Sequence, residues 1–456
     1  MGELVLNVRP VVSLYPKLYS WWRIPEESVW RVARKLLGEL REYLRARDAR
    51  IRLLEPILIS SIDDLYSQET RTRIVSGADA ILAINAGAGS QPILIGLGDL
   101  GLPVVILGLA SMGVEEREVE GIPGPEALDA YGELRRRGFS ARLAVGFGDV
   151  LKWLRAYICL KGLKSSRIAL FGTPASYIKE VVTPLEYLEG RLGLEFEVIP
   201  LEELIEAYEG TSAELSEVRE VVKHVKGTAS SIGAFKEDAD KALVDAARLY
   251  LAMRNMLEER GATATAIDCF GFMDMVYERS GVLRPPCIAL SLLRDEGIPA
   301  ACEADLDALV TMIIMSAISG KPVFMGNLTY ISPSKGVIRI SHCTIPTSIV
   351  KSYDVVSFHE SGFGATVRGR VEEGVEVTIA RAAKWLDRML IIRGKVLRSG
   401  VGGPLECATR VEVKVGGIER FVEEVEGDHH VLAYGDWSDV LCHVCRMLGT
   451  EPVVIG

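Results

Sequence analysis

The sequence has no apolar run long enough to cross a bilayer and no excess of positive charge. Its longest apolar run, residues 308–318, is well short of the roughly 20 residues that a membrane-spanning helix requires. The formal net charge is −10, which argues against binding to nucleic acid, because that binding depends mainly on Lys and Arg that neutralise phosphates. The first residues show no basic stretch followed by an apolar one, as a secretory signal would. We therefore expect a cytoplasmic protein that binds neither membranes nor nucleic acid.

The sequence also lacks the cysteine pattern of a disulfide framework or of a structural zinc site. Most of its eight cysteines lie inside apolar segments, where a thiol behaves as a small buried hydrophobic group, so we expect them to be reduced. Cys442 and Cys445 have the CxxC spacing, but they lie on a predicted helix and no second pair completes a zinc site. We interpret this pair as part of the helix.

A dinucleotide-binding site is not expected either, although residues 96–101 match the GxGxxG pattern. In a dinucleotide site this pattern joins a strand to a helix that begins within it. Here a predicted strand begins directly after the last glycine, at residue 102, which leaves no room for the helix. We therefore expect no nucleotide cofactor.

What the sequence does contain is an alternation of short apolar strands and amphipathic helices, which predicts an α/β protein. We predict two doubly wound α/β domains, residues 1–160 and 161–325. In the remaining residues strand-like segments and turns dominate, which predicts a β-rich C-terminal domain, residues 326–456. The amphipathic helix predicted over residues 26–48 and the long helix predicted over 236–260 are the clearest elements of the first two domains.

Polar side chains follow several short apolar segments in the second half of the chain. Glu303 follows one such segment, Asn327 ends the next, and His342 ends a third. Polar groups at the carboxyl ends of neighbouring strands converge on one crevice. His429 opens a further apolar segment near the C-terminus and completes the set if that segment folds back onto the same crevice. Because a carboxylate, an amide and imidazoles suit a hard or borderline divalent cation, we predict a metal site formed by these four residues.

Each of these residues also has a purely structural interpretation. Glu303 precedes Asp305, a plausible helix N-cap, so its charge could simply complement the dipole of the following helix. A single histidine on a strand is more often a core residue than a ligand. The combination of Glu303 with His342 and His429, in a chain with only six histidines, favours the metal site. His359 and Glu360 end another strand-like segment and are candidates for substrate contacts.

The same residues resemble motifs of the L-fucose/L-arabinose isomerase superfamily. The resemblance covers residues 265–445, whereas the N-terminal half agrees only in its general alternation of predicted strands and helices. The matching motifs are residues 286–293, 295–299, 302–305, 320–322, 325–327, 341–343, 359–362, 428–430 and 434–436. Together these motifs are specific for the superfamily, but they do not identify the sugar.

The resemblance implies a fold, a cofactor and a reaction. It implies two α/β domains with a C-terminal β domain, assembly into trimers or hexamers, bound Mn²⁺ or another divalent cation, and interconversion of an aldose and a ketose through an enediol. By the same resemblance Glu303 is a metal-binding, proton-transferring residue, His429 is a metal ligand, and His342 corresponds to a ligand in the arabinose branch. The expected activity is therefore that of a sugar isomerase of the L-fucose or L-arabinose type.

Asn327 departs from the superfamily pattern, since the fucose branch has a second acidic ligand at this position. An amide oxygen can coordinate a cation, but it cannot accept a proton at neutral pH. A carboxylate elsewhere could take over this role, or Glu303 could perform both proton transfers together with a metal-bound water. The candidates for the second carboxylate are Asp305, Glu360, Asp428 and Asp436.

Two other classes of function are compatible with the sequence. A metal-dependent lyase or epimerase could use the same scaffold, and Asn327 is the feature that favours it. A non-catalytic sugar-binding protein could also consist of two α/β lobes around a crevice. The joint presence of Glu303, His342 and His429 argues against this last class.

Overall fold

The structure is a computed structural model that describes residues 4–14, 20–21, 23, 25–87, 89–108, 124–400 and 406–456. The chain divides into two compact units, Met1–Lys161 and Gly162–Gly456. In the described ranges no helix is long and apolar enough to cross a membrane. The division into three domains stays a prediction.

A parallel sheet of six strands forms the core of the first unit. Its strands are β1 (Leu6–Ser13), β2 (Ile51–Leu53), β3 (Ile57–Ile59), β4 (Ala80–Asn85), β5 (Val104–Gly108) and β6 (Ala141–Ala144). Their order is β2-β1-β4-β5-β6, and β3 also pairs with β1. Every residue of β4 is buried, as expected for a parallel strand that has both faces covered.

Helices separate most of these strands along the chain. They are α1 (Glu26–Arg47), α2 (Ile62–Tyr66), α3 (Gln68–Val75), α4 (Gln91–Gly96), α5 (Pro125–Arg136) and α6 (Phe147–Lys164). Helix α1 buries one face through residues such as Val29, Leu36 and Leu40, which have the spacing of an amphipathic helix. Its bounds agree closely with the helix predicted over residues 26–48.

The second unit combines a parallel sheet with a larger antiparallel sheet. Its strands are β7 (Arg167–Phe171), β8 (Glu195–Ile199), β9 (Ser231–Ile232), β10 (Ala264–Ile267), β11 (Ala300–Ala301), β12 (Phe324–Ser332), β13 (Val337–His342), β14 (Ser352–Ser357), β15 (Ala365–Arg370), β16 (Glu376–Ala382), β17 (Arg388–Ser399), β18 (Thr409–Val415), β19 (His429–Tyr434) and β20 (Glu451–Ile455). Its helices are α7 (Leu185–Leu192), α8 (Leu201–Gly210), α9 (Ser216–Thr228), α10 (Ala239–Glu259), α11 (Cys269–Ser280), α12 (Cys287–Asp295), α13 (Leu306–Ser319), α14 (Ile418–Glu424) and α15 (Ser438–Leu448).

The parallel sheet has the strand order β11-β10-β7-β8. Its central strand β10 is fully buried, and helices α11 and α13 begin directly beyond the carboxyl ends of β10 and β11. Asp268 caps α11 by accepting a hydrogen bond from the backbone N–H of Gly271, and Asp305 caps α13 in the same way through the N–H of Ala308. Such caps satisfy backbone donors that have no partner inside the helix. They fix where each helix starts and therefore which residues remain at the sheet edge.

The antiparallel sheet closes into a barrel. Six strands follow one another in the order β16-β19-β12-β13-β18-β17, and β17 pairs again with β16. Strand β20 adds to β17 in parallel orientation. A separate small sheet has the order β15-β14-β9.

The predicted fold class is confirmed, because two parallel α/β sheets are followed by a β-rich region that forms the barrel. The apolar segment before Glu303 forms a strand of only two residues, Ala300–Ala301, and the chain leaves the extended conformation at Glu303. Helix α11 was not predicted, although Asp268 as an N-cap and Gly281 in the left-handed conformation at its end are the usual signals.

Candidate active site

Glu303 lies in a turn with an unusual backbone, between β11 and α13. Glu303 and Ala304 both adopt left-handed conformations, with φ of 58° and 50°, which cost about 1–3 kcal/mol each for residues other than glycine. The N–H of Ala304 donates to the carbonyl of Ile267 at 2.8 Å, and the N–H of Ala175 donates to the carbonyl of Glu303 at 3.2 Å. These bonds tie the turn to neighbouring segments and hold the carboxylate in a defined place.

The barrel register brings the other predicted ligands together. Asn327 on β12 lies directly opposite His429 on β19, and on its other side it pairs with Ser341 on β13. His342 follows Ser341 as the last residue of β13. Residues that are 102 positions apart in the chain therefore become neighbours through one antiparallel pairing.

Glu303, His342 and His429 form a buried cluster that could hold a metal ion. One ligand atom from each of the three lies within 4.8 Å of the others. Glu303 Oε1 is 3.6 Å from His429 Nε2, and the two imidazole centroids are 5.7 Å apart. A carboxylate with two imidazoles suits a borderline divalent cation such as Mn²⁺, Co²⁺, Fe²⁺ or Zn²⁺.

Asp305 orients the imidazole of His429. Its Oδ2 atom lies 2.9 Å from His429 Nδ1, which leaves Nε2 on the side of Glu303. Ligand histidines commonly have such a carboxylate behind them, since it fixes the ring and raises its basicity. Asp305 Oδ2 also accepts a hydrogen bond of 2.7 Å from Arg381 Nη1. This buried guanidinium further donates to the carbonyl of His429 at 3.0 Å.

The electrostatic environment distinguishes the two histidines. Burial by itself would lower the pKa of His429, but hydrogen bonds to Asp305 and Glu303 raise it to about 10. Burial and the nearby charge of His429 hold the pKa of His342 well below its usual value. Burial disfavours the charged form of Asp305, yet Arg381 and His429 keep its pKa below the ordinary range. Contact with two carboxylates thus favours the charged form of His429, whereas burial favours the neutral form of His342.

Asn327 reaches the same imidazole through its amide. Its Nδ2 atom is 3.3 Å from His429 Nε2 and 3.2 Å from Asp428 Oδ2. A half-turn of the amide would bring its oxygen towards the cluster instead, and amide oxygens are acceptable ligands for a divalent cation. The cluster thus has one carboxylate, two imidazoles and one amide within reach of a common point.

A pocket of about 360 Å³ opens onto this cluster. Glu303, Asn327 and His342 line it together with His359 and Thr329. Its remaining walls are aromatic, apolar or sulfur-containing except for the carboxylate of Glu406, and they include five cysteines. These residues are Cys269, Phe270, Met273, Pro286, Cys287, Cys302, Cys343, Phe358, Glu406 and Cys407. In the described part of the chain neither Lys nor Arg lines the pocket.

His359 and Glu360 differ in their position, although both were predicted as substrate contacts. His359 lines the pocket in a left-handed conformation, with φ of 49°. Glu360 also has a positive φ, but its carboxylate forms an ion pair with Arg368 and does not line the pocket. Their roles in substrate binding stay predictions.

The other acidic residues proposed as a second carboxylate have structural partners. Asp305 forms an ion pair with Arg381. Asp436 accepts hydrogen bonds from the backbone N–H and the hydroxyl of Ser438, at the start of α15. Asp428 Oδ1 accepts a hydrogen bond from the backbone N–H of His429, and it belongs with Asp305 and His429 to a second group of possible ligands.

Tyr177 is a feature of the site that the sequence did not reveal. Partial desolvation and the nearby carboxylate of Glu303 raise the pKa of Tyr177, which remains 57% exposed. The phenol is therefore neutral and can donate a hydrogen bond to Glu303. Tyr177 lies outside the regular helices and strands, in a segment without a periodic pattern, so no sequence signal pointed to it.

Comparison with known proteins adds an independent observation. No protein-family model matches the chain. A sulfoquinovose isomerase from Clostridium sp. (strain MSTE9) is 26% identical over 220 residues, which cover 45% of this chain and 47% of that protein. A sulfoquinovose isomerase from Alkalicoccus urumqiensis is 28% identical over 215 residues, with the same coverage of 45% and 47%. The chain thus spans about half the length of the curated relatives it matches, and these similarities relate it to sugar isomerases.

A comparison with solved structures finds a periplasmic solute-binding protein of an ABC transporter from Actinobacillus succinogenes 130z with bound D-allose. It is 10% identical, and the match covers 69% of this chain and 92% of that chain. The TM-score is 0.17, so this likeness carries no argument about fold or function.

Proposed function

We propose that this protein is a divalent-metal-dependent aldose–ketose isomerase. The observation that supports it most is the buried cluster of Glu303, His342 and His429 at the end of a pocket of about 360 Å³. A pocket of this size suits a small ligand such as a monosaccharide. The similarity to sulfoquinovose isomerases supports the same class of reaction.

The donor atoms fit a divalent cation. Glu303, His342 and His429 would hold it, with Asn327 as a further oxygen donor, and Asp305 would orient His429 from behind. A cation bound there would polarise the sugar carbonyl and the neighbouring hydroxyl, which lowers the barrier to moving a proton between C1 and C2. Mn²⁺ is the proposed ion, and Co²⁺, Fe²⁺ or Mg²⁺ would be tested beside it.

Glu303 is the proposed general base. Isomerisation requires one group to take a proton from C2 of the aldose and to return it to C1 through the enediol. Glu303 is the carboxylate that lines the pocket beside the two histidines. The neutral phenol of Tyr177, whose pKa is raised beside Glu303, would donate a hydrogen bond to the carboxylate and hold it in position during both transfers.

The proposed substrate is a neutral aldose of the L-fucose or L-arabinose type. Sulfoquinovose carries a sulfonate, and a buried anion requires a cationic or strongly hydrogen-bonding partner. In the described part of the pocket wall there is neither Lys nor Arg. Phe270, Met273 and Phe358 instead offer apolar surface, which suits the carbon skeleton of an uncharged sugar.

Product analysis tests this function. The purified chain would be stripped of metal, reloaded with Mn²⁺, Co²⁺ or Mg²⁺, and incubated with neutral aldoses and with sulfoquinovose, and the sugars would be separated by chromatography. We expect a ketose from a neutral aldose only when a cation is present. Preferential conversion of sulfoquinovose would contradict the proposed substrate while leaving the reaction class intact.

The same chromatogram tests the alternative of a lyase or epimerase. Asn327 favours that alternative, since it replaces a carboxylate with a group that accepts no proton at neutral pH. Shorter fragments or an epimer of the starting sugar, without any ketose, would contradict isomerisation and support the alternative.

A further inference from the structure

The pocket wall contains a third group of possible ligands, which shares no residue with the Glu303 cluster. Cys343, His359 and Cys407 offer two sulfur atoms and one imidazole nitrogen, all within 4.8 Å of one another. We propose that these three residues bind a thiophilic cation such as Zn²⁺, Cd²⁺ or Cu⁺ in the pocket wall. This proposal does not depend on the isomerase activity.

The spacing of the donors fits a tetrahedral ion. Cys407 Sγ is 3.9 Å from His359 Nε2. In a tetrahedral zinc site, bonds of about 2.3 Å to sulfur and 2.0 Å to nitrogen place these two ligands roughly 3.5 Å apart. A shift of a few tenths of an ångström would therefore bring both onto a common ion.

Three separate segments hold these donors in place. Cys343 directly follows β13, and its carbonyl accepts a hydrogen bond of 2.6 Å from the hydroxyl of Thr366. Cys407 precedes β18, whose Thr409 pairs with His342 on the neighbouring strand β13. This register brings the two thiols together, within 4.8 Å of each other. Strand pairing thus places these donors on a rigid scaffold.

His359 lies in a tight turn that is closed by a hydrogen bond of 3.0 Å from the N–H of Phe358 to the carbonyl of Phe363. Its backbone is left-handed, which costs about 1–3 kcal/mol. Its ring stacks on Phe358, with centroids 4.1 Å apart and an angle of 13° between the planes. This arrangement directs Nε2 towards Cys407. The energetic cost of the turn is understandable if the imidazole acts as a ligand.

The two clusters differ in their chemical preference. Thiolates bind soft and borderline ions, whereas carboxylate and amide oxygens favour Mn²⁺ and Mg²⁺. Cys287 also lines the pocket but lies outside this group of three. Three protein donors leave a fourth position of a tetrahedral ion open to the pocket. A bound thiophilic ion would therefore occupy part of the space that a sugar needs.

Cadmium titration of the 456-residue chain tests the proposal. Cd²⁺ bound to thiolates gives a ligand-to-metal charge-transfer absorption, which carboxylates and imidazoles do not give. We expect this band to saturate at one ion per chain, and Cys407→Ser to remove it or to weaken Cd²⁺ binding at least about tenfold. Cys442→Ser is the matched control, since this half-buried thiol on α15 lies outside the cluster.

Two further variants test whether the Cd²⁺ band arises from this group of three residues. Glu303→Gln should keep the band, because the carboxylate belongs to the other cluster. His359→Gln leaves both thiols in place and should weaken Cd²⁺ binding without a change in thermal unfolding. An unchanged band and affinity in both Cys407→Ser and His359→Gln, or no thiolate band in the folded wild-type protein, would overturn the proposal.

Discussion

At the scale of single residues, the left-handed conformation of Glu303 is the most informative feature of the site. Glutamate has no intrinsic preference for φ near 58°, and such strain persists only where surrounding structure enforces it. The sequence indicated Glu303 through its place after an apolar segment. It could not show that the turn directs this carboxylate towards His429.

Glu303→Gln should abolish turnover while leaving stability almost unchanged. Glutamine keeps the size and a hydrogen-bonding oxygen, but it cannot accept the proton from the sugar, which is worth roughly 10²- to 10⁴-fold in rate. Ketose formation and the thermal unfolding midpoint would be measured side by side. Glu423→Gln, an exposed change on α14, is the control and should affect neither quantity. A Glu303→Gln protein with comparable turnover would show that another group is the base.

Tyr177→Phe should lower turnover by roughly ten- to a hundredfold with the fold intact. A hydrogen bond to a charged group contributes about 1.5–3 kcal/mol, and this change removes the phenol hydroxyl that would donate one to Glu303. Steady-state kinetics would show the loss mainly in kcat. Tyr187→Phe is the control, since the ring of Tyr187 packs against Trp385 away from Glu303. Equal kinetics of the two variants would remove Tyr177 from the mechanism.

At the scale of elements, strand pairing explains what the sequence could and could not show. The apolar segments around Asn327, His342 and His429 were predicted as strands, because their composition and length are typical of strands. That β12 pairs with β19, and thereby sets Asn327 opposite His429, depends on long-range pairing that no local pattern specifies. We expected the predicted residues to converge because polar groups at the ends of neighbouring strands do so, and not because the pairing itself could be predicted. The five cysteines of the pocket were predicted only as buried thiols.

Asp305→Asn should destabilise the second unit by about 3–5 kcal/mol, because it leaves the buried Arg381 without its counter-ion. Asparagine is as good an N-cap as aspartate, so the loss would not come from the start of α13. Asp238→Asn, at the exposed N-cap of α10, is the matched control and should cost much less. Urea unfolding monitored by fluorescence measures the free energy of unfolding of both variants. Similar losses in the two variants would contradict a stabilising role of the Asp305–Arg381 pair.

In the first unit, Asp48 should make stability depend on acid pH. Burial disfavours its charge, but hydrogen bonds and charges of Arg50 and Arg155 lower its pKa below the usual value. A depressed folded-state pKa stabilises the protein above the unfolded pKa of about 3.9, and this contribution is lost as pH falls through the folded pKa. The unfolding free energies of wild type and Asp48→Asn should therefore differ at pH 7 and converge in acid. A difference that is constant with pH would contradict this linkage.

At the scale of the whole molecule, the class of architecture could be predicted from the sequence, whereas the closure of the antiparallel sheet into a barrel could not. The alternation of apolar strands and helices predicted the parallel sheets, because strands buried on both faces have continuous apolar runs. The β-rich composition after residue 325 predicted many strands, but it could not show that β16 and β17 close the barrel. Closure depends on pairing between strands, which a linear pattern does not contain.

The central claim is that this protein moves a proton between adjacent carbons of a sugar with Glu303 and a divalent cation. The most direct measurement is deuterium uptake from D₂O into neutral aldoses and ketoses, read by mass spectrometry with and without Mn²⁺. We predict uptake of one deuterium at C1 or C2 that requires the cation and is absent in Glu303→Gln. No uptake into any sugar by the folded, metal-loaded protein, or equal uptake by Glu303→Gln, would contradict the claim.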